Sequence, residues 1–190
     1  MVKNLKQFVF NALLAEDTLS SLNDVGIDVK NLSGVKETMR VVEKDFSPVI
    51  WYNANKMSSV YTAIYCIENT LRNFIQERLL ERKGIDWWET SIPANVKRAV
   101  QKLKDDEVKN KYHAIRGDSL INYTMLGNLA DIITNNWDDF SDIIPNQAWI
   151  NSRVTDLEKS RNIIMHTGVL DEYEIERIEM IVRDLLRQIG

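Results

Sequence analysis

The fold of this 190-residue chain is decided by residues 55–81, which read NKMSSVYTAIYCIENTLRNFIQERLLE. Apolar side chains recur in this stretch at intervals of three and four residues, which places them on one side of an α-helix. They are Met57, Val60, Ile64, Ile67, Leu71 and Phe74. Because no glycine or proline interrupts the pattern, it predicts one long helix at the centre of a hydrophobic core.

The remainder of the chain also indicates helices. Its seven glycines and three prolines are few, and the prolines fall between periodic segments, so we predict an all-α protein. Further helices are expected at residues 94–110, at 122–140 with a break near 135–136, from about 147 onward, and after Gly168. Phe46-Ser47-Pro48 is expected to break the preceding helix.

Two parts are predicted along the chain. Residues 1–50 form an appended N-terminal helical region, with one helix over about 3–22 and a shorter one beginning at Ser33 and reaching Val42. Residues 51–190 form the main helical domain.

Composition restricts the classes of function. The net charge of −4 argues against a protein that grips nucleic acid by charge alone, and DNA is not expected as a partner. No apolar run approaches the roughly 20 residues that cross a bilayer, so no membrane association is expected. The single Cys66 cannot form an internal disulfide, and we predict a buried thiol in a reducing, cytoplasmic compartment. Two histidines and one cysteine without ligand spacing predict no metal site and no cofactor.

A second stretch, residues 150–168, carries an arginine where an aliphatic residue is expected. The stripe at spacings of four, three, four and three consists of Ile150, Val154, Leu157, Arg161 and Ile164. An unpaired guanidinium is costly to bury, so this one should meet a carboxylate, a phosphate or a wet cleft. Two carboxylates are candidates, Glu158 at i−3 and Glu68 on the central helix. Glu68 can alternatively form an i,i+4 surface pair with Arg72.

His166 follows Arg161 by five residues. At about 100° per residue, the two lie roughly 140° apart around a straight helix and do not share a face. Asn162 does share a face with His166, because the two are four residues apart. Gly168 suits the C′ position, which would put His166 in the last turn.

Two other groups are candidates for function. Trp87 and Trp88 can stack on bases, but no basic residue is interleaved with them, which favours packing anchors. His113 and Arg116 lie in a polar loop, where they form an accessory site or are simply solvated.

Residues 161–166, R-N-I-I-M-H, match R-N-x-x-x-H, and the chain resembles the HEPN superfamily through this motif. Residues 67–72, I-E-N-T-L-R, resemble the first core helix of HEPN domains. Residues 126–129 and 132–140 resemble a subgroup found in a transcription-associated nuclear endoribonuclease and in bacterial defence proteins. The likeness covers about residues 51–190 and implies an antiparallel helical bundle that forms a homodimer, with two motifs facing one composite cleft.

The resemblance also implies metal-independent cleavage of RNA by attack of its 2′-hydroxyl, in a toxin or anti-phage defence context. His166 would act as general base or acid, and Arg161 would stabilise charge on the phosphoryl oxygens. Asn162 would position the phosphate or His166, and Glu68 would support the site. An antitoxin or regulatory protein is a further implied partner. HEPN toxins paired with a nucleotidyltransferase antitoxin commonly carry a tyrosine two residues after the histidine. This chain has Gly168 there, so control by that route is not expected.

Two alternatives remain open at this point. In the first alternative, the domain is a catalytically inactive HEPN module that binds RNA, a nucleotide or a protein partner. Otherwise Arg161 merely pairs with Glu158 or Glu68, and His166 is an ordinary residue at a helix end.

Overall fold

A computed structural model describes residues 43–110 and 112–189 of the chain. The helices predicted over about 3–22 and over 33–42 lie outside these residues. The chain divides into two compact units, Met1–Ser47 and Pro48–Gly190. Within the described part of the first unit, Glu43–Asp45 forms a turn of 3₁₀-helix.

The second unit is built from helices, and its described residues contain no strand, so the all-α prediction is confirmed. The α-helices are α1 (Pro48–Lys83), α2 (Trp87–Ser91), α3 (Ala94–Lys109), α4 (Leu126–Asn135), α5 (Trp137–Phe140), α6 (Gln147–Met165) and α7 (Glu172–Ile189). A 3₁₀-helix, Leu120–Tyr123, lies between α3 and α4. The break predicted near residues 135–136 is the junction of α4 and α5.

Helix α1 is the central element, in contact with α2, α4, α5, α6 and α7. It begins at Pro48, seven residues before the predicted start, so Pro48 is the first residue of a helix. The helix that Phe46-Ser47-Pro48 was expected to break lies outside the described residues. Proline fits the first turn of a helix because the N–H it lacks has no partner there. The buried stripe follows the prediction as far as Leu71 and then continues through Ile75 and Leu79, whereas Phe74 is only partly buried.

Side-chain caps define where α6 and α7 begin. Asn146 Oδ1 accepts a hydrogen bond from the Trp149 amide at 2.8 Å, which satisfies one of the free N–H groups at the start of α6. At the start of α7, Asp171 and Glu174 each accept a hydrogen bond from the other's backbone amide, at 2.8 and 3.1 Å. This reciprocal capping fixes the connection between the two helices.

Two sequence predictions about the core have different outcomes. Trp87 is buried, and its ring meets that of Trp88 edge to face at 5.5 Å, so the interpretation of the pair as packing anchors is confirmed. The prediction of a buried Cys66 thiol is wrong, because the residue is exposed. It follows Tyr65 and precedes Ile67, and at about 100° per residue it points away from the core stripe that Ile67 occupies.

None of the helices in residues 43–110 and 112–189 has the length and apolarity required to cross a membrane.

Candidate functional site

Glu68 lies between two arginines. Its side chain is 9% exposed, and its two carboxylate oxygens point to different partners. Oε1 accepts a hydrogen bond from Arg72 Nη2, whereas Oε2 lies 3.7 Å from Arg161 Nε. The predicted contact between Glu68 and Arg161 is therefore present, and the Glu68–Arg72 pair is present as well, but in the interior and not on the surface.

Arg72 is engaged from several directions. Its Nη1 donates to Asn69 Oδ1 at 3.0 Å, and its Nη2 also donates to the Thr124 carbonyl at 2.7 Å. Thr124 and Met125 form the short segment that joins the 3₁₀-helix to α4. Arg72 thus ties α1 to that segment, and its side chain is only 13% exposed. We interpret it as a structural group that fixes the position of the Glu68 carboxylate.

Arg161 is much less committed. Its side chain is 28% exposed, and the 3.7 Å separation from Glu68 is longer than a hydrogen bond. The stripe of α6 that enters the core consists of Ile150, Val154, Leu157 and Ser160, so Ser160 takes the place that the spacing assigned to Arg161. Arg161 lies one position away, at the edge of the core, where its N–H donors can reach a solute.

Glu158 does not pair with Arg161. It points instead toward Gly127 in the first turn of α4, where an added methyl group would lie 3.3 Å from Glu158 Oε2. A carboxylate beside the first turn of a helix is stabilised by the free N–H groups there. Because Glu158 is used in this way, Glu68 is the carboxylate that orients Arg161.

A polar groove of about 300 Å³ opens beside these residues and is named here the arginine groove. Its lining consists of Tyr61, Tyr65, Glu68, Asn69, Arg72, Arg116, Asn122 and Arg161. The three guanidinium groups come from α1, from the loop after α3 and from α6. In a chain with a net charge of −4, the groove is a local region where cations outnumber carboxylates. Such a region attracts anions.

His166 lies at the end of α6, where the backbone turns sharply. The Thr167 amide donates to the Ile164 carbonyl at 3.0 Å, and the Gly168 amide donates to the Ile163 carbonyl at 2.8 Å. This pair of bonds is the Schellman motif, with His166 as the C-cap and Thr167 at C′. Thr167 has a φ of 62°, which is strained for a β-branched residue.

The prediction that Gly168 occupies C′ is wrong by one residue. Gly168 is at C″, and glycine is required there by close approach, not by a left-handed backbone. A methyl group on Gly168 would lie 2.5 Å from Ile163 Cγ2 and 2.9 Å from the Ile163 carbonyl oxygen. The turn presents the His166 side chain to solvent, since the residue is exposed.

A second, mostly apolar groove of about 530 Å³ lies between the start of α1 and the end of α6, and is named here the apolar groove. It is lined by Ile50, Asn53, Ala54, Met57, Ser58, Tyr61, Ile164, Met165, Thr167, Gly168 and Val169. Tyr61 borders both grooves. His166 does not line the apolar groove, whereas the next two residues, Thr167 and Gly168, do.

The predicted site residues are brought together only in part. Arg161 and Glu68 meet in the arginine groove, whereas Asn162 and His166 are exposed and do not line it. Arg116, expected to be an accessory or solvated residue, joins the groove, and Asn122 was not singled out by the sequence. Among the described residues, no group of three or more histidine, cysteine or acidic side chains is arranged to hold a metal ion.

The helical fold, the paired Glu68 and Arg161, and the histidine at the end of α6 define a small helical domain with an R-N-x-x-x-H motif. A family model described as Swt1-like HEPN matches residues 62–190, which is more than half of the chain. The chain belongs to this HEPN family. Comparison with curated proteins finds no match, and comparison with solved structures finds none either. Membership of the HEPN family favours a nuclease-type enzyme.

Proposed function

We propose that this protein is a metal-independent endoribonuclease whose catalytic groups are Arg161, Asn162 and His166, supported by Glu68. The observation that carries the proposal is the incomplete engagement of Arg161. Its guanidinium is oriented by a buried carboxylate 3.7 Å away, yet it faces an open polar groove with donors to spare. Arginine's planar fork matches two phosphate oxygens, which suits it to a phosphodiester.

The reaction needs a base, an acid and a charge stabiliser. The RNA 2′-hydroxyl attacks the adjacent phosphorus and gives up its proton to a base, while the bond from phosphorus to the 5′ oxygen breaks and that oxygen receives a proton. The products are a 2′,3′-cyclic phosphate and a 5′-hydroxyl. His166 is suited to the proton transfers because imidazole titrates near neutral pH, and Arg161 to the charge on the phosphoryl oxygens.

A homodimer is part of the proposal. Within one chain His166 does not line the arginine groove, so a second copy is needed to bring an imidazole to the phosphate held by Arg161. Exposed apolar side chains near the motif support this, since such surface favours association. They include Ile50, Ile163, Met165 and Val169.

The test is cleavage of tRNA or another structured RNA in the presence of EDTA. We expect His166→Ala to lower the rate by about 10²–10⁴-fold, the usual contribution of general acid–base catalysis. Arg161→Met should lower it by about 10²–10³-fold through loss of charge stabilisation. The matched control is His113→Ala, which removes the only other histidine and should cleave like wild type. Equal rates for wild type and His166→Ala would eliminate the proposal.

We propose a toxin or anti-phage defence role in the cytoplasm, with an antitoxin or regulatory protein as partner. This rests on the likeness of the motif regions to defence proteins. Expression of the wild-type chain in bacteria should arrest growth, and His166→Ala should relieve the arrest. Growth arrest that persists in His166→Ala would contradict a nuclease toxin.

A catalytically inactive HEPN module that binds RNA, a nucleotide or a protein is the second candidate. It is favoured by the position of His166 outside the arginine groove. This candidate predicts a protein that binds a ligand stoichiometrically and leaves every RNA intact, including at protein concentrations where the dimer is complete.

A further inference from the structure

Arg116 contributes a second accessible cation to the arginine groove. It is separated from Arg161 by 45 positions in the chain, yet both side chains line the same cavity. Glu107 at the end of α3 holds Arg116 from one side: its Oε2 accepts from the Arg116 backbone amide at 3.3 Å, and its Oε1 accepts from Nη1. The side chain remains 44% exposed, so most of its five N–H donors are open to a ligand.

Arg72 cannot serve in the same way. Its Nη1 and Nη2 already donate to Asn69, Glu68 and the Thr124 carbonyl, and its Nε has no partner but is buried where a ligand in the groove does not reach it. The groove therefore contains two arginines whose side chains remain accessible to an anion, Arg116 and Arg161, with the Glu68–Arg72 pair on the α1 side. Two accessible guanidinium groups along one groove fit a ligand with consecutive negative charges.

Aromatic surface lies at the same groove. Tyr65 is 59% exposed, although tyrosine carries a large apolar ring. The rings of Tyr61 and Tyr65 are 6.5 Å apart and inclined at 46°, so neither covers the face of the other. An exposed ring beside open cations is the arrangement by which proteins bind single-stranded nucleic acid, with bases stacked on the ring and phosphates on the cations.

We infer that the arginine groove is a binding track for single-stranded RNA, in which Arg116 holds a phosphate next to the one at Arg161 and Tyr65 stacks on a base. The inference rests on the proposed function for the identity of the scissile phosphate. It adds two binding residues outside the R-N-x-x-x-H motif, Arg116 and Tyr65. A base can stack on Tyr65 only where it is unpaired. Loops and single-stranded segments are bound, and continuous duplexes are bound weakly.

Binding is measured separately from cleavage, with a fluorescent single strand of about ten 2′-O-methyl nucleotides, which lacks the attacking hydroxyl. Fluorescence anisotropy of the full chain gives Kd at several salt concentrations. Arg116→Gln should weaken binding about five- to tenfold near physiological salt. It should also reduce the slope of log K against log salt by about 0.7, the value for one phosphate contact on a single strand.

Tyr65→Ala should weaken binding about five- to hundredfold, as expected for the loss of one stacked base, and Tyr65→Phe should restore it. The matched controls are Arg177→Gln and Tyr173→Ala. Arg177 and Tyr173 are exposed on α7 and do not line the groove. Both controls should bind within about twofold of wild type. Arg116→Lys keeps the charge, so it should retain the wild-type salt slope, which a merely structural role of Arg116 does not predict.

The outcomes separate this inference from the nuclease proposal. If wild type cleaves RNA in EDTA but Arg116→Gln and Tyr65→Ala bind the 2′-O-methyl strand as their controls do, the binding track is wrong and the nuclease stands. If the two variants lose affinity as expected but wild type cleaves nothing, the track stands and the nuclease falls. Absence of wild-type binding, or tighter binding to the matching duplex than to the single strand, overturns the track.

Discussion

Replacing Arg72 by methionine should mainly lower the stability of the protein, whereas replacing Arg161 by methionine should mainly lower its activity. Both arginines contact Glu68, but only Arg72 is a close partner with a nearly buried side chain. Arg72→Met leaves Glu68, itself 9% exposed, with only Arg161 at 3.7 Å. Removing one partner of a buried ion pair costs about 3–5 kcal/mol, and we expect about 3 kcal/mol because Arg161 remains nearby.

Arg161→Met should cost less than about 1 kcal/mol. Its contact with Glu68 is longer than a hydrogen bond, its side chain is 28% exposed, and Glu68 keeps Arg72. For a domain of this size, the difference amounts to a fall in Tm of about 6–12 °C for Arg72→Met and no more than about 4 °C for Arg161→Met. Activity follows the reverse order per folded molecule, since Arg161→Met removes the phosphate ligand.

Urea unfolding followed by tryptophan fluorescence measures the free energies, at one fixed protein concentration because the proposed dimer would make stability depend on it. Arg177→Met, an exposed arginine on α7, is the control and should stay within about 0.5 kcal/mol of wild type. Equal destabilisation by Arg72→Met and Arg161→Met would refute the division into a structural and a free arginine. So would full RNA cleavage by Arg161→Met.

Three further predictions concern the helix end and an ion pair. Gly168→Ala should cost about 1–3 kcal/mol and lower cleavage, because the new methyl group would lie 2.9 Å from the Ile163 carbonyl oxygen and displace the turn; urea unfolding measures it. Thr167→Asn should raise the free energy of unfolding by about 0.5–1 kcal/mol, since asparagine tolerates a φ of 62° better than threonine does. The hydrogen bond from Arg78 lowers the pKa of the Asp142 carboxyl below its usual 3.8, so its stabilisation is present above that pH and is lost as the pH falls through the folded-state pKa. Asp142→Asn should therefore be less stable at pH 7 but lose less stability between pH 5 and pH 2 in urea titrations.

Each of these three has a direct control or contradiction. Gly84→Ala changes a glycine with a φ of 77° and no atom within 4 Å, so it separates backbone strain from the collision at Gly168. A loss of stability in Thr167→Asn would mean that the threonine is favoured at this turn. Identical acid profiles for wild type and Asp142→Asn would show that the Arg78 contact does not influence stability.

The sequence by itself determined the helical class, the long central helix and the R-N-x-x-x-H motif. These depend on spacing along the chain, and a helix converts spacing directly into a shared face. The same rule indicated that Arg161 needs a carboxylate or another anion, and it left Glu68 and Glu158 as the two candidate carboxylates. Two predictions were wrong by one residue: Ser160 enters the core where Arg161 was expected, and Gly168 is at C″ where C′ was expected. The exact rotation of α6 and the form of its last turn depend on the neighbouring helices.

Only the tertiary structure decided the composition of the groove. Arg116 and Arg161 are 45 positions apart and belong to different segments, so no periodicity relates them. Arg72 and Arg161 are likewise indistinguishable as cations in the sequence. The packing of Thr124 against α1 encloses the Arg72 guanidinium, whose Nη2 donates to the Thr124 carbonyl and whose Nε is buried, whereas the edge position of Arg161 leaves its side chain 28% exposed. Burial and hydrogen-bond partners, which exist only in the folded chain, therefore separate the structural arginine from those available to a ligand.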